Sequence, residues 1–172
     1  VSARAAAAAL LVGLLAGAVA GAAALADAVA PVVPGYTLAF PRDYGSHPEF
    51  RTEWWYVTGW LNTAQGAPLG FQVTFFRSRP PQQQDNPSAF AARQLLLAHV
   101  AISDPARGQL WQDQRIRRAG LQLAEAALAD TDVRIDNWRL RREGDGYRAD
   151  LAADGFALQL EFAVTQPMML NG

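Results

Sequence analysis

Three ionisable residues stand where the sequence otherwise places apolar ones. Glu53 alternates with Trp55 and Val57, Arg77 with Val73 and Phe75, and His99 lies between Leu97 and Ala101. Side chains two apart on an extended chain share a face, so each charge interrupts an apolar face. Buried charges are costly unless paired. If the three faces turn inward together, Glu53, Arg77 and His99 meet in one cluster. Arg77 would then keep Glu53 ionised, and His99 could exchange a proton near neutral pH, which suffices for general acid–base work. The competing reading is a structural ion pair at strand ends, and the sequence leaves both open.

Other chemistry has less support. Ser46, Ser78, Ser88 and Ser103 sit in no G-x-S-x-G elbow, so nucleophilic hydrolysis gains nothing here. With no cysteine, thiolate catalysis, disulfides and cysteine-based zinc sites are excluded. His47 and His99 are the only two histidines, so no metal or other cofactor is expected. His47 is expected to face water in a loop beside Pro48. Asp43 and Glu49 nearby do not have metal-ligand spacing. Arg115, Arg117 and Arg118 read as a solvated strand end rather than a phosphate site.

The elements that position these residues are strands. "YTLAF" (36–40) alternates enough for a short strand ended by Pro41, and "PRDYGSHPEF" (41–50) is a loop. From residue 51, Arg51, Glu53, Trp55, Val57, Gly59 and Leu61 point one way. Thr52, Trp54, Tyr56, Thr58, Trp60 and Asn62 point the other, rich in the aromatic and β-branched types that strands favour. With the turn 62–68 and the run 69–78, this predicts an antiparallel hairpin. The Trp and Tyr side chains either fill a core or line a ligand pocket. The polar stretch 79–94 is a long loop. Further strands are predicted at 95–104, 109–116, 132–140, 147–153 and 156–164, while 119–130 could be a short helix or a strand. Such spacing without crossover helices argues an antiparallel all-β sandwich or barrel.

Residues 1–26 carry one charge, Arg4, then an Ala/Leu/Val/Gly run ending Ala24-Leu25-Ala26. This order predicts an export signal peptide cleaved before Asp27, in preference to a membrane anchor. The protein is thus expected to be exported, periplasmic or secreted, with 27–35 as a proline-containing lead-in. All 15 basic residues of the chain are arginines, set against 16 acidic ones. A chain so near neutrality has no electrostatic footprint for nucleic acid. The ending "TQPMMLNG" reads as truncated, and its apolar Met168-Met169-Leu170 predicts an aggregation-prone isolated domain.

The segments "FPRDYGSHPEFRTEWWYVTGWL", "GFQVTFFRSR", "LLLAHVAISD" and "DQRI" resemble, in order and spacing, the amino-terminal domain of the carotenoid 1,2-hydratase-like proteins. That family is also called hydroxyneurosporene synthase-like or AttH-type, and its exported members are often described as predicted secreted hydrolases. The resemblance covers about residues 38–172. It implies two tandem lipocalin-like domains, of which residues 36–172 form the first, and an association with ABC transport systems of the lipoprotein-release kind. The His-, Asp- and aromatic-containing motif of the hydrating members belongs to the second domain and is absent here. Two functions follow: binding of an apolar ligand, a lipid or isoprenoid, with Glu53, Trp55, Arg77 and His99 at the ligand, or half of a hydratase or hydrolase acting on such a molecule. The faces of the opening strand are expected to divide, with Glu53, Trp55 and Val57 inside and Trp54, Tyr56 and Trp60 packed outward on the second domain.

Overall fold

Nine antiparallel strands run as a meander in a computed structural model that describes residues 29–169. The first sheet takes β1 (Thr52–Asn62), β2 (Pro68–Ser78), β3 (Leu95–Asp104) and β4 (Gln109–Arg118), each paired with its sequence neighbour. The second takes β5 (Ala124–Ala126), β6 (Asp132–Ile135), β7 (Trp138–Glu143), β8 (Gly146–Ala153) and β9 (Phe156–Ala163), again in order. The sheets face each other without closing into a barrel, so of the two expected architectures the sandwich is the one present.

The alternation in β1 and β2 sets the core. Glu53, Trp55 and Val57 lie opposite Arg77, Phe75 and Val73 in register, and the next strand adds Leu96, Ala98 and Val100 to the same face. The second sheet answers with Val133, Ile135, Trp138, Leu140, Ala149, Leu151, Leu158 and Leu160. Trp138 is fully buried, and its indole N–H donates to Ala152 O at 2.8 Å, as a buried tryptophan requires. The inward sign assigned to Glu53, Trp55 and Val57 holds. On the opposite face Trp54, Tyr56 and Trp60 are 58%, 64% and 71% exposed.

Two sequence expectations change and one open choice resolves to a strand. Residues 36–40 form no strand; the chain there is irregular and enters a 3-10 turn at Arg42–Tyr44 through a cis Phe40–Pro41 bond. Segment 119–130 contains no helix, only the three-residue β5 and turns. The stretch 132–140 is two strands, because Asp136 takes a left-handed φ of 52° and, with Asn137, makes a two-residue hairpin loop. Asp and Asn tolerate that conformation better than most residues, and the pair was the available turn signal. The expected signal peptide, its cleavage site and Leu170 lie outside the described residues. Among those residues, no helix is long and apolar enough to cross a membrane.

Candidate functional site

The loop 43–50 folds back across one end of the sandwich and is sewn to both sheets. Ser46 donates from its backbone N–H to Ala127 O (2.8 Å) and from its hydroxyl to Ala126 O (3.1 Å). The Thr131 hydroxyl donates to Tyr44 O at 2.8 Å. Only glycine fits at position 45, since a Cβ there would lie 2.0 Å from Leu128 O.

From the first sheet, Arg77 reaches up into this loop. Its side chain is 2% exposed. Nε donates to Glu53 Oε2 (3.1 Å), Nη1 to Gln94 Oε1 (3.1 Å), and Nη2 to His47 O (2.8 Å) and Phe50 O (3.0 Å). Glu53 also receives the His47 backbone N–H at 2.9 Å on Oε2, and His47 Nδ1 lies 2.7 Å from Oε1. The second ring nitrogen, Nε2, lies 3.2 Å from Asp43 Oδ1. Asp43 in turn accepts from Ala39 N–H (2.7 Å) and from Arg42 Nε (2.5 Å).

The electrostatics follow from these contacts. Burial acts to lower the His47 pKa, but hydrogen bonds and charge from Glu53 and Asp43 outweigh it, so the pKa is raised above the ordinary imidazole value. With a carboxylate oxygen at each ring nitrogen, the doubly protonated ring is the species that suits the site. Asp43 is held well below the usual carboxylate range, first by Arg42 and then by the Ala39 N–H. Its carboxylate is covered by these neighbours yet lies near the surface rather than at depth.

Of the expected trio, Glu53 and Arg77 meet and His99 does not. Alternation along β3 sends Leu96, Ala98 and Val100 inward, so His99 is exposed on the outer face, its ring edge-on to Phe76 at 6.5 Å. His47, expected in water, takes the histidine position instead, with its side chain 19% exposed. The signal that could have found it is local: Asp43, His47 and Glu53 fall within eleven residues, with Gly45 between them to let the chain turn back. Among the described residues no group of His, Asp or Glu side chains is placed to hold a metal ion. Of the β4 arginines expected to be a solvated strand end, Arg117 does remain exposed, whereas Arg115 does not. Arg115 stacks on Trp138 with 4.3 Å between guanidinium carbon and ring centre, and donates to Ala152 O at 2.8 Å and to Asn137 Oδ1. Arg117 pairs with Asp136 at 2.8 Å. Both tie the first sheet to the β6–β7 hairpin.

Two apolar hollows flank Trp54 along β1. One, of about 410 Å³, is walled by the lead-in residues Val32, Val33 and Leu38 with Phe50 and Trp54, and His47 and Glu53 also line it. The other, of about 420 Å³, lies between β1 and the second sheet, over Trp55, Val57, Leu140 and Phe162. Arg77 lines a third hollow, near β5, and His99 a polar one on the outer face, so the four residues expected at a ligand fall in four separate recesses.

A family profile described as AttH-like matches residues 31–172. A crystal structure of a candidate AttH from Nitrosomonas europaea is similar at 52% sequence identity and a TM-score of 0.73, over 83% of this chain and 43% of that one. The chain therefore spans less than half the length of that protein. Among curated proteins, none matches.

Proposed function

The chain belongs to the AttH-like family, and from that premise we propose that this domain binds an elongated apolar ligand, a lipid or isoprenoid, outside the cytoplasm. The observation that carries the reading is the pair of apolar hollows on either side of Trp54, each within the usual size of a ligand pocket. Apolar walls with a few polar groups are what such a ligand needs. Glu53 and Trp55, both expected at the ligand, border one hollow each.

The reading as half of a hydratase or hydrolase has less support from these residues. Both His47 ring nitrogens and both Glu53 oxygens are engaged within the cluster. General acid–base catalysis needs a group within reach of the substrate's proton, and here that would require breaking the cluster first. Any such chemistry is assigned to a second lipocalin-like domain. We seat that domain on the outer face of the first sheet, where Trp54, Tyr56, Trp60, Leu110 and Ile116 are exposed, a larger apolar display than a lone domain ordinarily presents. An ABC transport system of the lipoprotein-release kind is the proposed partner of the whole protein, on family resemblance.

The test is titration of the full-length protein with the fluorescent apolar dye Nile red. Val33→Asp and Leu38→Asp place a charge in the lead-in hollow and are expected to weaken binding at least about tenfold, since an unpaired charge in an apolar site is costly. Trp60→Ala, on the outer face, leaves dye affinity unchanged. Equal affinity in all three variants and the parent sinks the proposal.

A further inference from the structure

At the end of the sandwich crossed by the loop 43–50, the meander parts between β4 and β5, and a hollow of about 450 Å³ lies there with Ser46 and Pro48 of the loop in its lining. Its walls are mostly apolar, with Leu96, Ala119, Ala124, Ala126 and Leu128. Arg77 and Gln94 line it too. A guanidinium has five N–H donors, and Arg77 spends four of them on Glu53, Gln94, His47 O and Phe50 O. Because Gln94 Oε1 accepts from Arg77, its amide nitrogen is fixed as the other terminus, with two N–H donors. Among the described residues, neither these two donors nor the fifth of Arg77 has a protein acceptor. Both residues line the hollow beside its apolar wall.

The charges around this hollow cancel. Arg77 is paired with Glu53, and Arg134 with Glu125 at 3.3 Å. A ligand carrying its own charge would be desolvated there without a counter-ion. A neutral oxygen, in contrast, would accept the spare N–H groups and lose nothing.

We propose that this hollow is a second binding site, distinct from the pair beside Trp54, for a small apolar molecule bearing one uncharged oxygen acceptor such as a ketone, ester or amide. The oxygen sits at Gln94 and Arg77, and the apolar body lies along Leu96, Ala119 and Ala124. The proposal does not depend on the ligand or the hollows of the preceding section.

Two fluorescent probes test it on the full-length protein: 6-propionyl-2-dimethylaminonaphthalene, which has the ketone, and 2-dimethylaminonaphthalene, which lacks it. Gln94→Leu is expected to weaken the ketone probe up to about tenfold, the loss of one hydrogen bond, and to leave the ketone-free probe unchanged. Ala119→Leu, which narrows the hollow without touching the donors, weakens both. Val33→Asp disables the lead-in hollow and leaves the Gln94-dependent component intact, which separates this proposal from the previous one. The inference is overturned if Gln94→Leu affects the two probes equally or neither. It is also overturned if Ala119→Leu, with an unchanged melting temperature, binds both as the parent does.

Discussion

Two arginine-centred clusters fasten this sandwich, and they do so at opposite depths. Arg77 is 2% exposed and gathers a carboxylate, an amide oxygen and two loop carbonyls around it. Arg115 and Arg117 are 19% and 43% exposed, and bind the β6–β7 hairpin by one stacked ring, short hydrogen bonds and a shared Asp136. Similar side chains make a comparable number of contacts in both places. The difference lies in what happens on loss of a partner. Water can replace a partner at the rim, whereas at Arg77 an uncompensated charge stays buried.

The hardest test of that contrast is Glu53→Ala, expected to destabilise by about 3–5 kcal/mol in denaturant unfolding. A loss below about 1 kcal/mol would put the buried cluster on the same footing as the rim and erase the distinction. Next comes Gly45→Ala, which breaks the loop's seat on the second sheet without touching a charge. The overlap with Leu128 O is expected to cost about 1–3 kcal/mol, read as a drop in melting temperature. Arg115→Ala removes the ring stack and its hydrogen bonds, and should cost about 1–2 kcal/mol. Arg117→Ala, which loses a half-exposed ion pair and an exposed hydrogen bond to its neighbour's carbonyl, should cost less than about 1 kcal/mol and show sensitivity to salt.

The smallest effect is a slope with pH. The folded His47 pKa lies above its unfolded value of about 6.5. Its contribution is therefore fully present below that value and is lost as pH rises through the folded pKa. The melting-temperature gap between the parent and His47→Gln should be wide at pH 6 and narrow by alkaline pH. A gap that widens with pH would mean the ring is neutral between its two carboxylates.

How much of this could be read from residue order alone depended on range. Alternation carried β1 and β2 with their faces, and β3 without its inward face, because period-two patterning is a local property and a buried face enforces it. The pairing of Glu53 with Arg77 followed from hairpin register, which the short turn after Asn62 sets. Histidine choice did not follow. His99 had the more suggestive neighbours, but one residue of parity places it outside, and parity is invisible when apolar residues occupy both faces of a strand. His47 reaches the cluster only because the loop reverses and docks on β5, whose own assignment was ambiguous. The hairpin at Asp136-Asn137 was masked by apolar residues on either side, which read as a single strand.

The loop's attachment also orders events in time. Within each sheet every strand pairs with its sequence neighbour, so the strand pairings close short loops, the condition for rapid folding in β proteins. Among the exceptions are the bonds that join Ser46 and Tyr44 to residues 126–131, which span 80 positions or more. Hairpins of the first sheet can form as the chain emerges from the ribosome. Seating of residues 43–50 must wait until residue 131 has been synthesised, and closure of the two sheets on each other, as where Phe71 meets Phe162, must wait for β9.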